Sequence, residues 1–460
     1  MNPMKNIVQA MLLLAAFWAI ESYSFAQNCQ CHLCENPQSQ RTPEQRRYWN
    51  RIAGQSRSEM PGPNNVLGRE QVVFLDFDSG DDGDFDYTPA LRDAIQAQLE
   101  VIYQQFSVIF IQSNPGGQFS TIVFNEGVLG GLAEDIDFRN QNRSDNAVLN
   151  LAGAGFTTEA DIVAANAFIA AHELGHLLGL RHADSYGPIG EGILAGFGLF
   201  YSPAYQGPMN AFESEDHIMA TPALGIFLNL GLTFLSERSS VKLMFAEVGQ
   251  TTLDIENNDS IANAQEITLQ NQDVPNTIVD GQNASMFGFS VSSAVVEGTL
   301  DGMADPQDVF QFEAKAGDLF NMELLSNVPD ILAVDPIDPN ISVFDSTGAF
   351  VDYFGADAFN ESELKTPDAI LIDLIIPADG TYFVQVGSSF SDSGNYELLV
   401  YRFNGIRGDV NCDGTVDLLD IGPFVDAILS GDNTPKADIN NDNVVDLLDI
   451  GSLVDLLKFN

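Results

Sequence analysis

The sequence predicts a multidomain protein with an α/β (α+β) domain, then an antiparallel β-sandwich, and finally a small α-helical module. Three observations predict this order. Strand-like runs alternate with two long helical patterns between residues 71 and 250, which favours a mixed α/β domain. Short alternating strands separated by glycines follow up to residue 403, as in a sandwich. The chain then contains a gapless internal repeat, which indicates a duplicated unit.

The composition limits the kinds of partner. The chain has 460 residues, 45% of them hydrophobic, enough for about three domains that each bury a core. It contains 65 acidic and 19 basic side chains, which gives a formal net charge of −46. Such an acidic surface repels phosphates and anionic lipids, so nucleic acid is excluded as a partner. The same negative charge attracts divalent cations.

The first 26 residues have the pattern of a cleaved signal peptide. Lys5 precedes an apolar run from Ile7 to Ile20, and Ser24-Phe25-Ala26 forms a small-x-small cleavage site before Gln27. The apolar run is shorter than the ~20 residues that span a bilayer, and no later segment reaches that length. The sequence therefore predicts a secreted, extracellular protein without a stable membrane span.

Residues 27–70 predict a pro-segment or linker, because they are polar and turn-rich and lack a sustained period. This stretch contains Cys29, Cys31 and Cys34, and the fourth cysteine is Cys412. In an oxidising compartment four cysteines permit two disulfides in three pairings, so the pairing stays open. A disulfide within the N-terminal cluster and a thiolate that binds a metal are both open interpretations.

The hydrophobic pattern between residues 71 and 250 predicts both strands and helices. A buried strand is predicted at Val72–Phe77, and a helix at Leu91–Phe106, where the apolar residues share one face. The second helix begins after Thr158, whose spacing to Asp161 resembles a capping box, and continues toward Gly179. Further strand-like runs lie at 108–111, 121–124 and 147–151.

The second helix carries His172, Glu173 and His176, and Gly179 and His182 follow it. Residues i and i+4 share a helical face, so His172 and His176 can point at one cation. Gly179 can adopt the left-handed conformation that ends a helix, which lets His182 deliver a third nitrogen. Three neutral imidazoles leave a fourth position open, as is typical of catalytic zinc. Glu173 lies about 100° around the helix from His172 and is predicted to be the general base.

The motif His-Glu-x-x-His-x-x-Gly-x-x-His, filled at every position, resembles the signature of the metzincin metallopeptidases. The resemblance implies an endopeptidase with one catalytic zinc ion that hydrolyses a protein or peptide substrate. It also implies a methionine turn at 217–222, with Met219 as a structural residue beneath the histidines. Thr221 stands where some members have a tyrosine ligand, so no fifth protein ligand is expected. His217 is then expected to be a loop histidine.

A second interpretation of the same motif stays open. Some metzincins are kept latent by a propeptide cysteine on the zinc, and Cys29, Cys31 or Cys34 could take that role. The alternative function is therefore a latent or inactive homologue that acts as a surface-binding or scaffold-docked protein. The intact Glu173 argues against inactivity, because a protein without activity needs no general base.

Residues 251–403 predict the β-sandwich. The alternating runs, punctuated by glycines, are Asp308–Phe312, Asn340–Phe344, Thr381–Val386 and Tyr396–Val400. The segments 256–264, 305–317 and 378–386 resemble the bacterial pre-peptidase C-terminal (PPC) domain. This resemblance implies a β-sandwich that follows a secreted peptidase and is commonly removed during maturation.

Residues 404–460 contain the repeat. Asp409–Leu429 and Asp438–Lys458 align at a period of 29 residues, and 12 of 21 positions are identical. Each copy has oxygen-bearing residues at the spacing of a calcium loop, so two structural calcium ions are predicted. The predicted ligands of the first ion are Asp409, Asn411, Asp413, the Thr415 carbonyl, Asp417 and Asp420. Those of the second ion are Asp438, Asn440, Asp442, the Val444 carbonyl, Asp446 and Asp449.

These duplicated loops, each followed by a helix, resemble dockerin repeats. The resemblance implies attachment to a cohesin-like or cell-surface partner, with partner contacts at Leu418-Leu419 and Leu447-Leu448. Leucines are atypical at those positions, and the alternative is that they face the core of the module. The calcium prediction does not depend on which of these is correct.

Overall fold

The computed structural model describes residues 71–83, 85–127, 129–134, 136–156, 158–187, 189, 212–213, 217–219, 235–247, 251–255, 257–274, 279–280, 283–284, 289–302, 304, 306–326, 337–351, 368–388, 392–406, 408–411, 416–431, 436–440 and 444–459. The predicted signal peptide, the pro-segment or linker, and all four cysteines lie outside these residues. The chain divides into two compact units. The first unit comprises residues 1–185 and 213–235, and the second comprises 186–212 and 236–460. The predicted domain boundaries at residues 250 and 403 stay predictions.

In the part of the first unit that the structure describes, a five-stranded sheet is accompanied by two α-helices. The elements are β1 (Gln71–Asp76), α1 (Pro89–Ile102), β2 (Val108–Ile111), β3 (Ser120–Phe124), β4 (Gly130–Ala133), β5 (Asn146–Asn150) and α2 (Glu159–Leu177). The strand order is β2-β1-β3-β5-β4. Neighbouring strands are parallel except at the edge, where β4 runs antiparallel to β5. A mixed α/β architecture is therefore confirmed.

Local sequence explains why these elements form. β1 alternates buried and half-buried residues, and Val73 and Leu75 have no exposed surface. α1 begins at Pro89, whose missing N–H is harmless at the first helical position, and the Thr88 hydroxyl accepts a hydrogen bond from the Leu91 N–H. The predicted helix extended to residue 106, but the observed helix ends four residues earlier, at Ile102.

The remaining described elements form several further sheets and three α-helices. In chain order they are β6 (Tyr186–Gly187), β7 (Phe212–Glu213), α3 (Glu237–Glu247), β8 (Thr251–Leu253), β9 (Gln265–Glu266), β10 (Gln270–Val274), β11 (Val279–Asp280), β12 (Asn283–Ala284), β13 (Phe289–Asp301), β14 (Gln307–Ala314), β15 (Leu319–Ser326), β16 (Pro339–Phe344), β17 (Ala369–Ile375), β18 (Gly380–Ser388), β19 (Ser393–Ile406), α4 (Ile421–Ser430) and α5 (Asp449–Phe459). One sheet has the order β10-β13-β19-β15-β17, with β8 added to β13, and another has the order β16-β18-β14-β9. A single hydrophobic core joins the two sheets, with Phe310 and Val384 from one and Phe320 and Leu398 from the other.

Buried ion pairs connect helix α3 to two strands of the second unit. Arg238 pairs with Asp373 of β17 at 3.2 Å, and Lys242 pairs with Glu323 of β15 at 2.9 Å. Arg238 and Lys242 are four residues apart and therefore lie on one face of the helix. Buried charges persist only when they are paired, so these contacts fix the helix against the strands. Within the described residues, no helix is long and apolar enough to cross a membrane.

The duplicated tail has a small core of its own, and its leucine pairs lie outside that core. The core residues are Val416, Phe424, Ala427, Ala437, Ile439, Val445 and Leu453. Leu418 and Leu419 are 73% and 67% exposed, and Leu447 and Leu448 are 70% and 68% exposed. The interpretation that these leucines face the core is therefore wrong.

Candidate metal centre

Helix α2 carries the histidine motif into the interior of the first unit. The Thr158 hydroxyl accepts a hydrogen bond from the Asp161 N–H at 3.1 Å and so caps the first turn. Glu159 and Asp161 place negative charge near the N-terminus of the helix, where it interacts favourably with the positive end of the helix dipole. From Val163 to Leu177 every residue is buried, so the motif residues are held by packing on all sides.

Three imidazole nitrogens converge on one point. His172 Nε2 lies 3.1 Å from His182 Nε2 and 3.2 Å from His176 Nε2. These separations are close to the ~3.3 Å expected between two nitrogen ligands of a tetrahedral ion at about 2.05 Å. Together the three residues form a group that could hold a metal ion.

The other ring nitrogens fix the protonation of this group. His172 Nδ1 lies 2.7 Å from the Ile218 carbonyl oxygen, and His176 Nδ1 lies 2.9 Å from the Leu180 carbonyl oxygen. A carbonyl only accepts, so each Nδ1 must be the protonated donor and each Nε2 carries a lone pair. Lone pairs that face one another at this distance repel, and a cation between them removes the repulsion. The donor set therefore fits a metal that prefers imidazole nitrogen.

The turn after α2 brings the third histidine into place. The Leu180 N–H donates to the Gly175 carbonyl at 2.8 Å, and the Gly179 N–H donates to the His176 carbonyl at 2.9 Å. This is the Schellman arrangement, with Gly179 in the left-handed conformation at φ +89°. A Cβ on Gly179 would also lie 2.4 Å from Phe138 Cα, so both conformation and space require glycine. The predicted role of Gly179 as the helix terminator matches this geometry.

His182 opens a short 3₁₀ turn at His182–Ser185. The Asp184 carboxylate accepts a hydrogen bond from the Arg181 N–H at 2.7 Å, and the Ser185 hydroxyl donates to the His182 carbonyl at 2.6 Å. These local bonds hold the backbone of His182 and leave its imidazole to face the other two. His217 is not part of the converging group, and its Nδ1 instead contacts the Ser185 carbonyl.

Met219 lies against the helix between its two histidines. A Cβ on Gly175 would come within 2.5 Å of Met219 Sδ, so only glycine leaves room for the thioether there. Met219 is almost fully buried, and the carbonyl of the preceding residue, Ile218, is the acceptor for His172. The segment 217–219 thus contacts the histidine helix through both a side chain and a carbonyl group.

Glu173 contacts a strand that the sequence pattern did not predict. The residue is buried, and a Cβ on Gly131 of β4 would overlap its carboxylate. A glycine at 131 is therefore what lets Glu173 keep its position next to His172. The short run Gly130–Ala133 has no alternating period, and the only sequence signal was its pair of glycines.

Burial changes the acidity of the histidines. Loss of hydration lowers the pKa of His172 to about 4, although its hydrogen bond to Ile218 opposes this effect. The pKa values of His176 and His182 also fall well below the usual range, first because of burial and then because of the neighbouring imidazoles. All three rings are therefore neutral at pH 7, which is the form that binds a metal.

The two tail loops have the same hydrogen-bond pattern. Both carboxylate oxygens of Asp420 accept backbone N–H groups, from Asn411 and from Asp417, each at 2.9 Å. Asp449 repeats this pattern with Asn440 and Asp446, again at 2.9 Å. The acids at the first and last loop positions are all buried: Asp409, Asp420, Asp438 and Asp449. Among the described residues Lys436 is near one of them, at 3.9 Å from Asp409.

Several predicted calcium ligands lie outside the described residues. These are Asp413 and Thr415 of the first loop and Asp442 of the second. The buried carboxylates that are described fit a divalent cation with oxygen ligands, because buried like charges are costly without a counterion.

No protein-family model matches the chain, and no curated protein matches it. Among solved structures, PliG of Aeromonas hydrophila, a periplasmic inhibitor of g-type lysozyme, is 17% identical over 24% of this chain and 85% of its own, with a TM-score of 0.17. The pre-peptidase C-terminal domain of a Bacillus anthracis collagenase is 17% identical over 23% of this chain and 86% of its own, with a TM-score of 0.16. High choriolytic enzyme 1, a hatching-enzyme zinc protease of the medaka Oryzias latipes, is 14% identical over 36% of this chain and 77% of its own, with a TM-score of 0.19. Likenesses of this size define no family for the chain.

Proposed function

We propose that the chain is a zinc-dependent endopeptidase of the metzincin type. The observation that carries the proposal is the convergence of three buried imidazoles, two of which lie on helix α2 together with the buried Glu173. Three nitrogen ligands leave a position for water or substrate, which distinguishes catalytic from structural zinc sites. A zinc ion held by His172, His176 and His182 would supply Lewis acidity and lower the pKa of water toward about 7.

The chain's own residues supply the rest of the reaction. Glu173 takes a proton from the attacking water and returns it to the leaving amine, as a general base and then a general acid. Strand β4, which contacts Glu173 through Gly131, is the edge of its sheet. An edge strand has unpaired N–H and C=O groups with which an extended peptide can pair. This supports a protein or peptide as the substrate.

The test compares hydrolysis of casein by the wild-type chain, Glu173→Gln and Glu159→Gln, with zinc content measured on each. Glu159 lies in the first turn of the same helix and is exposed, so it is the matched control. We expect Glu173→Gln to lose about 10²–10⁴-fold in rate while it retains zinc, and Glu159→Gln to behave as wild type. A wild-type chain that binds no zinc would refute the proposal. A zinc-loaded chain that stays inactive after removal of residues 27–70 would support the inactive homologue instead.

We also propose that the tail is a dockerin-like module with two structural calcium ions. The four buried aspartates and the matching hydrogen bonds of the two loops support it. The exposed leucine pairs support calcium-dependent attachment to a cohesin-like or cell-surface partner, because exposed apolar patches mark interaction surfaces. Binding to a cohesin module that needs calcium and is lost in Leu418→Ser with Leu447→Ser would agree with this. Equal binding without calcium would contradict it.

The two sheets with a common core support a PPC-like β-sandwich as the middle domain. Secretion remains a proposal that rests on the signal-peptide pattern of residues 1–26. Mass spectrometry of the exported chain should find an N-terminus at Gln27. A mature chain that keeps Met1 would contradict it.

A further inference from the structure

A second group of oxygen-bearing side chains lies in the first unit, apart from the histidine motif. Strands β1 and β3 are parallel neighbours, so the loops that follow them begin at the same end of the two strands. The loop after β1 carries Asp81 and Asp82, and Asn125 and Glu126 follow β3. One carboxylate oxygen each from Asp81, Asp82 and Glu126 lie within 4.8 Å of one another.

The backbone holds these two loops together. The Asp82 and Gly83 N–H groups donate to the Asn125 carbonyl at 2.9 and 3.1 Å. The Asp81 N–H donates to a Glu126 carboxylate oxygen at 3.3 Å, and the Gly127 N–H donates to the Asp82 carboxylate at 3.1 Å. The carboxylates are therefore held near one another by backbone contacts, although their like charges repel.

A separate observation indicates a ligand at this place. Asn125 is 92% buried, since only 8% of its surface is exposed, and its Nδ2 donates to the Phe85 carbonyl at 2.8 Å, which fixes the amide. Its Oδ1 faces the same loop, where a Cβ on Gly83 would overlap it, and it has no hydrogen-bond partner among the described residues. A buried acceptor of this kind is costly unless a donor or a cation meets it. Glu126 lies beside Asn125 in the chain and is also buried, at 2% exposure.

The Oδ1 atom of Asn125 receives no hydrogen bond from Arg92. Arg92 directs its guanidinium to Asp78, with contacts of 2.9 and 2.5 Å. Hard oxygen donors from two loops are what calcium prefers, and they differ from the nitrogen donors of the histidine group. The three carboxylate oxygens lie within 4.8 Å of one another, which is close enough for a single cation to contact all of them.

We propose that Asp81, Asp82, Glu126 and the Oδ1 atom of Asn125 bind one calcium ion, which connects the loop after β1 to the residues that follow β3. This site is independent of the zinc proposal and of the two tail loops. The loop leads to Tyr87, whose hydroxyl donates to Asn166 on α2 at 2.8 Å. The ion therefore stabilises a segment that contacts the histidine helix at Asn166, six residues before His172.

The test counts bound calcium on the full-length chain by equilibrium dialysis with Ca²⁺ alone and then with Mg²⁺ as competitor. The background carries Asp420→Asn and Asp449→Asn, which remove the proposed tail sites, and the comparison adds Asp82→Asn, Glu126→Gln or Asp86→Asn. Asp82 and Asp86 are exposed, so their variants keep the fold, and Asp86→Asn is the matched control on the same loop. We expect one remaining ion in the background and in Asp86→Asn, and none in Asp82→Asn or Glu126→Gln.

An unchanged calcium count in Asp82→Asn would overturn the proposal, even if Glu126→Gln failed to fold. Displacement of the ion by about a tenfold excess of Mg²⁺ would overturn the assignment to calcium, because magnesium demands a smaller octahedral site. Retention of the ion under that excess would support it.

Discussion

The histidine group of the first unit and the acidic loops of the tail differ in how their proposed metal ligands are held. The histidine ligands are neutral and are positioned by distant parts of the chain, because His172 bonds to a carbonyl 46 residues away. The tail ligands are charged and local, because Asp420 accepts N–H groups three and nine residues before it. One site is built by tertiary packing, and the other is built within a single loop.

This difference determines whether each group of residues can assemble before it binds a metal ion. Neutral imidazoles can be buried together at modest cost, so the fold can assemble the group first and bind the ion afterwards. Carboxylates that are buried together repel one another, so the ion must arrive for the loop to be stable. Metal withdrawal should therefore leave helix α2 in place and release helices α4 and α5.

The largest expected effect is that of calcium withdrawal on the tail. At a calcium concentration about 100 times Kd, binding contributes about 2.7 kcal/mol, so withdrawal should speed amide exchange in α4 and α5 by about 100-fold. Exchange around His172 and His176 in α2 should stay slow, because this part of the helix is held by packing on all sides. Hydrogen exchange of the full chain followed by mass spectrometry measures both regions in one sample.

Matched variants sharpen this prediction. Asp420→Asn should reproduce the fast exchange of α4 in the presence of calcium, because Asp420 is fully buried at the last loop position. Asp426→Asn removes an equal charge from an exposed position on α4 and should leave exchange unchanged. Slow exchange in α4 and α5 without calcium would show that the tail folds without the ion.

The next effect is the pH dependence of the zinc-free chain. Burial lowers the pKa of His172 from 6.5 to about 4, so the unfolded state binds more protons between these values. Stability that is present above pH 6.5 is then lost as the pH falls toward 4, and about 2 kcal/mol is lost between pH 7 and pH 5 for this one residue. Denaturant unfolding at pH 7 and pH 5 should show the loss in the wild-type chain and a smaller loss in His172→Gln. Identical pH dependence in both chains would contradict the prediction.

The comparison also explains what the sequence could predict. The helix with His172, Glu173 and His176 and its end at Gly179 follow local rules of spacing, capping and left-handed glycine, so sequence and structure agree. The two tail loops are likewise local, and their repeat made them visible. Strand order, by contrast, depends on contacts between distant segments that no local pattern encodes.

Strand β4 and helix α3 show where local reasoning fails. β4 has four residues and two glycines, and it is defined by pairing with β5 and by contact with Glu173, not by an alternating pattern. α3 carries Arg238 and Lys242, whose charges predict surface residues. Both are buried, because each forms an ion pair with an acidic residue more than 80 positions later in the chain. The exposure of Leu418 and Leu447 is the reverse case, in which apolar residues next to a core remain outside it.

An effect on the reaction rate, and not on stability, is expected from Gly131→Ala in the first unit. The added methyl group would overlap the Glu173 carboxylate and displace it, and a shift of about 1 Å at a catalytic group can cost about 100-fold in rate. Zinc content should not change, because the three atoms nearest to the added methyl group all belong to Glu173. Peptidase rate and zinc content measured together test this, and full activity in the variant would show that Gly131 does not position Glu173.

The smallest effect uses the same substitution in the tail, where it should have the opposite sign. Gly422 in α4 has open space around its Cβ position and no left-handed backbone, so Gly422→Ala creates no clash. It lowers the entropy of the unfolded chain and should stabilise the calcium-loaded tail by about 0.4–1 kcal/mol. Amide exchange in α4 should then slow by about two- to five-fold. Gly451 occupies the equivalent position in the second copy and is equally open, so Gly451→Ala should slow exchange in α5 by a similar factor. If Gly422→Ala destabilised the tail, the position would be as closely packed as Gly131, and the contrast between a site built by packing and a site built within a loop would fail there.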